Sequence, residues 1–344
     1  MFNAMYRINV HIFYLYQRFR LSGREISRIG TLVQGGMEVK VKPFAVGVDI
    51  GGTKVAIGII DAKGCVAAST IIPTNVSILA TEMVAQIAEH ILRLLDKKGI
   101  TMEQVAGIGI GAPGPLDAKQ GKLICPVNLP SWDDFCVVEE LKRKNSVPVL
   151  LQNDANCAAL AENWAGNAQG CEHFIYLTIS TGIGAGVVID KKLVSGYRGN
   201  AGEVGHIVID PAQGRCACGQ KGCFEWVASG TAIARRASEV MGTKLTTKEV
   251  FALYRKNEPR IVPLIEETFT YIGMGCVALI NLFDLERIVI GGGVAEVRSS
   301  ICSGSKVCEK PYAKPGGTQY SDRSSAVEKR CGNDRRSRFD TCKL

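Results

Sequence analysis

No stretch of this chain approaches the run of about 18 apolar residues that a membrane-spanning helix needs, so a membrane protein is not expected. The apolar segment Val10 to Tyr16 is short, has no small-residue cleavage site and is followed by Arg18 and Arg20, which argues against a secretory leader. The GxxxxGK[ST] pattern of a P-loop is missing. A basic body is missing too. The net charge is +8, but residues 1–36 carry +4 and residues 298–344 carry +6, which leaves 37–297 at −2. With the basic excess confined to the two ends, no nucleic-acid partner is expected. The 13 cysteines are scattered, and within the body only Cys216, Cys218 and Cys223 cluster. That distribution excludes a small disulfide scaffold and fits a reducing cytoplasm with one metal site.

What is present reads as a globular α/β chain. Its 344 residues are enough for two lobes, and 46% hydrophobic with 22% charged residues suits packed cores. Phe44 to Ile50 and Val55 to Asp61 read as strands joined by the turn Gly51-Gly52-Thr53-Lys54. Met83, Ile87, Ile91 and Leu94 or Leu95 recur at helical spacing across Ala80 to Lys98, and Gly99 ends that helix. Val105 to Ile110 reads as a buried strand, and the Gly111-Ala112-Pro113-Gly114-Pro115 that follows cannot be helical. Val147 to Gln152 reads as a strand running into a helix from about Ala155 to Trp164. Phe174 to Ser180 and Ala185 to Ile189 form a second hairpin around glycines. A strand–glycine turn–strand unit therefore occurs twice, which predicts two similar lobes facing a cleft. The expected division is a small α/β lobe over 37–150 and a larger one over 151–296. Residues 1–36 read as an irregular extension. Beyond Glu296 the pattern collapses, and 297–344 reads as a disordered tail or as the product of an altered reading frame.

Four motifs carry chemistry. In Asp49-Ile50-Gly51-Gly52-Thr53-Lys54, glycine backbone N–H groups can approach a phosphate while Asp49 reaches its Mg²⁺. An ordinary glycine hairpin accounts for that turn equally well. Ser180-Thr181-Gly182-Ile183-Gly184 repeats the device, and Gly291-Gly292-Gly293 after a strand is a candidate seat for an adenosine. Gly109-x-Gly111-x-x-Gly114 matches GxGxxG, but Pro113 and Pro115 forbid the helix that a dinucleotide fingerprint needs. Gln152-Asn153-Asp154-Ala155-Asn156 lies at a strand-to-helix junction. Helix capping explains it by itself. Beside two phosphate turns, Asp154 becomes the candidate base for an attacking hydroxyl, with Asn153 on neighbouring hydroxyls.

The fourth motif places His206 before Cys216, Cys218 and Cys223, all within 18 residues. CxC and Cx₄C spacing with one histidine supplies a closed Cys₃His zinc set, against the alternative of reduced unliganded thiols. Four protein ligands leave no open position, so this Zn²⁺ is expected to be structural. It would pin a loop, 203–225, that carries Glu203, His206 and Glu225. Two carboxylates and an imidazole suit a polyhydroxylated ligand, although Glu225 alone also reads as a solvated surface acid.

These motifs, in this order and from about Phe44 to Glu296, resemble the ROK family of bacterial sugar kinases and sugar-responsive repressors. The resemblance implies a two-lobed actin/hexokinase-like (ribonuclease H-like) α/β fold with a nucleotide and sugar cleft between the lobes. It implies an ATP-dependent kinase that uses Mg²⁺, most similar to the zinc-bearing glucokinases. Asp154 would be the base, and Asn128, Asn153, Glu203, His206 and Glu225 would contact the sugar. His206 would also bind zinc with Cys216, Cys218 and Cys223. Asp49, Gly51, Gly52, Thr53, Lys54, Thr181, Gly182, Gly184 and Gly292 would hold the nucleotide. N-acetylmannosamine, N-acetylglucosamine or fructose kinases share most of these residues. The resemblance also implies a homo-oligomer, dimer or tetramer, in the cytoplasm. A family repressor would need an N-terminal helix-turn-helix, and the roughly forty residues before Phe44 show no such pattern.

Overall fold

The computed structural model describes residues 42–62, 64–126, 129–197 and 199–295, together with the backbone of two short strands, Val33–Gln34 and Met37–Glu38, which pair antiparallel. Beyond that ladder, the expectations for 1–36 and 297–344 and the sugar contact of Asn128 fall outside the described residues. The chain divides into two compact units. Among the described residues, the first runs to Ala165 and takes in Ser195–Ala201, and the second comprises Gly166–Val194 and the chain from Gly202 to residue 295.

In the first unit, β1 (Phe44–Ile50), β2 (Lys54–Asp61), β3 (Val66–Pro73), β4 (Val105–Ala112) and β5 (Val149–Asn153) form one sheet in the order β3-β2-β1-β4-β5. The first three strands meander antiparallel, while β4 and β5 run parallel to β1. From Ala45 to Ile50 and from Val55 to Ile60 every residue is buried, as befits strands covered on both faces. The expected boundary at 150 is displaced because β5 pairs with β4 from Ile108↔Val149 to Ala112↔Asn153. Those ladder bonds keep β5 and the helix after it in the first unit. β3, with Ala, Ser and Thr on a partly exposed edge, has no apolar period by which to be read.

Helix α1 (Ala80–Lys97) buries Met83, Ile87, Ile91, Leu94 and Leu95 as their spacing predicts. Gly99 follows at a left-handed φ of 63°, where the missing Cβ makes the turn inexpensive. The short α2 (Val137–Lys142) and the 12-residue α3 (Asp154–Ala165) complete this unit's helices among the described residues. No helix follows β4; a two-residue hairpin, Leu116–Asp117 with Lys122–Leu123, comes instead. This agrees with the rejection of a dinucleotide fingerprint.

The second unit repeats the order on a smaller scale. β6 (Phe174–Ile179), β7 (Ile183–Ile189), β8 (Lys192–Leu193) and β9 (Arg287–Gly291) form a sheet ordered β8-β7-β6-β9, with a β6–β7 hairpin and β9 parallel to β6. Four α-helices among the described residues pack here: α4 (Phe224–Ala228), α5 (Gly230–Met241), α6 (Thr247–Arg255) and α7 (Val262–Phe283). Helix α7 is longer and more apolar than the absence of long apolar runs suggests, and by length and composition it could cross a membrane. Nine of its 22 residues are buried, and Leu264, Ile265, Ile272, Cys276, Leu279 and Ile280 belong to this unit's core. That is the position of a core helix.

Trp132 is wholly buried in the first core, stacked edge-on against Phe135 with ring centroids 5.5 Å apart. Its indole N–H has no hydrogen-bond partner among the described residues. Trp132→Ala is therefore expected to cost about 3–5 kcal/mol, whereas Trp132→Phe, which removes the unpaired donor, should cost far less. Urea midpoints of the two variants check the contrast.

Candidate active site and metal centre

In the first unit the candidate residues gather where β1, β4 and β5 end. Asp49 pairs with Gly111 across β1–β4, and Gly111 pairs with Gln152 across β4–β5. Parallel strands thus bring a carboxylate and the Asn153-Asp154 junction to one edge of the sheet. The Gly51–Lys54 turn closes with Gly51 N–H donating to Lys54 O at 3.0 Å. Thr74 at the end of β3 stitches it down, its hydroxyl on Gly51 O at 2.7 Å and its N–H on Thr53 O at 3.1 Å. Among the described residues, nothing accepts from the N–H groups of Gly52 and Thr53. An anion is what such a turn can take.

Asn153 caps α3: its Oδ1 accepts from Ala155 N–H at 2.9 Å and Asn156 N–H at 3.3 Å. Its amide nitrogen lies outside that cap. Asp154 opens the helix and takes Ala155 N–H at 2.8 Å, where the helix dipole favours a negative charge. Burial, and then the carboxylates of Asp154 and Asp49, pushes the Cys157 thiol well above its ordinary value, so these three groups share one neighbourhood. Below the junction, Gln152 Oε1 accepts from Asn153 N–H at 2.8 Å and from Asn156 Nδ2 at 3.1 Å. Those two buried amides fix the backbone that carries Asp154. Sequence reasoning assigns neither a role, and only their position inside a capping motif marks them.

In the second unit the Ser180–Gly184 turn joins β6 to β7. It is held by neighbours that the sequence reading does not single out. Gly230 N–H donates to Ser180 O at 2.7 Å, and Thr231 reaches Thr181 O with its hydroxyl at 2.9 Å and its N–H at 3.3 Å. The Ser229 cap on Ala232 N–H, 3.1 Å, starts α5 here, and Ser-Gly-Thr is its sequence signal. Glu225 Oε2 accepts from Ile183 N–H at 2.9 Å. As in the first unit, the N–H groups of two turn residues, here Thr181 and Gly182, meet no acceptor among the described residues. Gly292, at φ 94°, lies against the end of β6; a Cβ there would sit 2.4 Å from Ile179 O.

His206, Cys216, Cys218 and Cys223 converge, with all four ligand atoms within 4.8 Å of one another. Cys218 Sγ lies 3.5 Å from Cys223 Sγ, and Cys216 Sγ lies 3.7 Å from His206 Nδ1. Zinc–sulfur bonds of about 2.3 Å in a tetrahedron place sulfurs about 3.8 Å apart, so the set fits Zn²⁺. The Gln220 backbone N–H, first among several donors, holds the Cys218 thiol down to about 6. Burial pushes Cys223 up to about 12. A metal held here would have to displace a proton from Cys223, so its affinity would fall as pH drops. Nδ1 of His206 faces the sulfurs, which leaves Nε2 on the other edge of the ring. Glu203 directly precedes the turn Val204–His206, and Glu225 lies in the first turn of α4 after Cys223.

The loop is tied down away from the sulfurs as well. Tyr271 of α7 donates to Asp210 Oδ2 at 2.8 Å, and Gln213 Nε2 reaches the same oxygen at 3.2 Å. The Tyr271 hydroxyl, then Ala212 N–H and Gln213, holds the Asp210 carboxyl below its usual value. This tie is present above the ordinary carboxylate range and is lost as pH falls through the lowered one.

A model described as the ROK family matches residues 45–319, past the 296 at which the sequence resemblance stops being legible. The glucokinase of Halalkalibacterium halodurans is 33% identical over 285 residues, covering 78% of this chain and 86% of that one. Among solved structures, a ROK hexokinase from Thermus thermophilus is 38% identical with a TM-score of 0.67, covering 74% of this chain and 83% of that one. A ROK family glucokinase from Streptomyces griseus, in complex with glucose and AMPPNP, is 31% identical with a TM-score of 0.62, covering 74% and 84%.

Two variants test the metal centre. Metal analysis of the purified chain should find about one zinc per protein, and Cys223→Ser should lose it. Gly222→Ala should weaken zinc retention with every ligand intact, because its Cβ would sit 1.7 Å from Asp210 O at a φ of 71°. Competition with a chelator reads both, and retention in either variant would count against this site.

Proposed function

The chain belongs to the ROK family, and from that premise we propose that it is an ATP-dependent sugar kinase with Asp154 as its base and glucose as its first substrate. Its fold is the family's two-lobed α/β, actin/hexokinase-like one. The observation that carries the reading is the strand register that brings Asp49 and the Asn153-Asp154 junction to one end of the sheet, beside a glycine turn with uncommitted backbone donors.

Phosphoryl transfer asks a protein mainly for position and charge. Asp154 takes the proton of a sugar hydroxyl as its oxygen bonds to the γ-phosphorus. The bond to the β-phosphate oxygen breaks, and ADP leaves with that electron pair. Gly51, Gly52, Thr53 and Lys54 hold phosphate oxygens in the first unit, as do Thr181, Gly182 and Gly184 in the second, with Gly292 at the adenosine end. Mg²⁺ carried by the nucleotide neutralises phosphate charge, and Asp49 is the carboxylate that would hold it, directly or through water. Asn153 Nδ2, Glu203, His206 Nε2 and Glu225 bind sugar hydroxyls, and Asn128 is assigned the same role. His206, Cys216, Cys218 and Cys223 would hold a Zn²⁺ with no open position, which would serve structure rather than the reaction.

Kinases for N-acetylmannosamine, N-acetylglucosamine or fructose are the alternatives within this reading, because the hydroxyl ligands named here suit any of them. A homo-oligomer in the cytoplasm fits an ATP-consuming member of this family. A sugar-sensing repressor is disfavoured by the acidic body of the chain and by a carboxylate placed for proton abstraction.

ADP release with MgATP and a panel of hexoses and N-acetylhexosamines tests the proposal. Turnover on one sugar is expected, and Asp154→Asn should lower kcat by roughly 10²–10⁴-fold while sugar affinity changes little. Equal loss of sugar binding in the variant would make Asp154 a structural residue instead.

A further inference from the structure

Resting on the reading of Thr181–Gly184 as a phosphate turn, we propose that Glu225 is a positioning residue for that turn and through it couples sugar binding to nucleotide binding. As a sugar ligand alone, Glu225 needs no contact with the turn. It makes a close one. Its Oε2 accepts from Ile183 N–H at 2.9 Å, a charge-assisted bond to the residue between Gly182 and Gly184. A Cβ on Gly182 would lie 2.3 Å from that same oxygen, so the glycine is what lets the carboxylate reach the backbone. From the other side, a Cβ on Gly205 would lie 2.3 Å from Ile183 O and 3.4 Å from Glu225 Cβ. Ile183 is thus gripped at both ends of its peptide neighbourhood, its N–H by Glu225 and its carbonyl by the packing of Gly205.

The consequence follows from the two oxygens of one carboxylate. Oε2 is committed to the turn, and Oε1 is the oxygen left for a sugar hydroxyl. A hydroxyl on Oε1 restricts the side-chain torsions that also set Oε2, so the ordering of the turn is shared between the two ligands. Each then binds better in the presence of the other, by the same factor.

The test is binding of an unhydrolysable MgATP analogue, measured by calorimetry with and without sugar. Without sugar, Glu225→Ala should weaken the analogue about tenfold or more, the expected effect of losing a hydrogen bond to a charged group. Glu225→Gln, which keeps an oxygen acceptor for Ile183 N–H, should recover most of that affinity. Glu225→Asp, one methylene shorter, should resemble Ala although it keeps the charge. If Glu225→Ala does not fold, the Asp and Gln variants carry the comparison, and faster amide exchange at Ile183 in Asp than in Gln supports it. Analogue affinity that is unchanged or tighter in Glu225→Ala and Glu225→Asp, while Gly184→Val loses the analogue, overturns the coupling alone. If Gly184→Val also binds the analogue normally, the phosphate-turn reading fails and the coupling with it.

Discussion

A turn that binds an anion through its own backbone N–H groups cannot also use those groups to hold itself in shape. Its neighbours have to do so, and on the proposed reading of the two glycine turns much of the local structure of both units answers to that constraint. In the first unit Thr74 fastens the Gly51–Lys54 turn by its two ends, through Gly51 O and Thr53 O. In the second, Gly230 and Thr231 take the carbonyls of Ser180 and Thr181, and Glu225 takes the N–H of Ile183. Each arrangement uses carbonyls or a peripheral amide and leaves the central N–H groups of the turn uncommitted. Glycine is required for a separate reason: backbone carbonyls this close leave no room for a Cβ, as at Gly205 and Gly230.

The same logic gives the cysteine-rich loop a place in the proposed chemistry beyond the sugar contact assigned to His206. Cys223 immediately precedes α4, whose first turn presents Glu225, and His206 closes the turn that carries Gly205. A metal on these residues would fix two segments that both press on Ile183. The loop has a second anchorage in the Asp210–Tyr271 bond to α7. α7 itself is held by the second unit's core, so the loop is tied to the most apolar helix among the described residues.

Parallel pairing does the corresponding work in the first unit. Asp49 and Asp154 are more than a hundred residues apart, yet registers one strand apart bring them to the same edge of one sheet. Two carboxylates with different surroundings can then take different roles. Asp49 is buried at a strand end, whereas Asp154 sits in the first turn of a helix, where the helix dipole favours its charged form.

Several of these features are legible in the sequence because they are local. The Cys₃His set is a matter of spacing along 18 residues, and α1 shows its buried face in five apolar positions. The glycine turns and the Asn153 cap are likewise written in adjacent residues. What the sequence does not reveal depends on contacts across the chain. β3 has no apolar period because its edge position leaves it half-exposed, and the unit boundary moves from 150 to 165 because ladder bonds claim β5. Glu225 reads in the sequence as a sugar ligand or a solvated acid. Only packing of α4 against the Ser180–Gly184 turn makes it a hydrogen-bond acceptor for Ile183, 42 residues away. Spacing along the chain determines which groups can act together locally, while the partner of a side chain from a distant segment is decided by close packing, which no local pattern records.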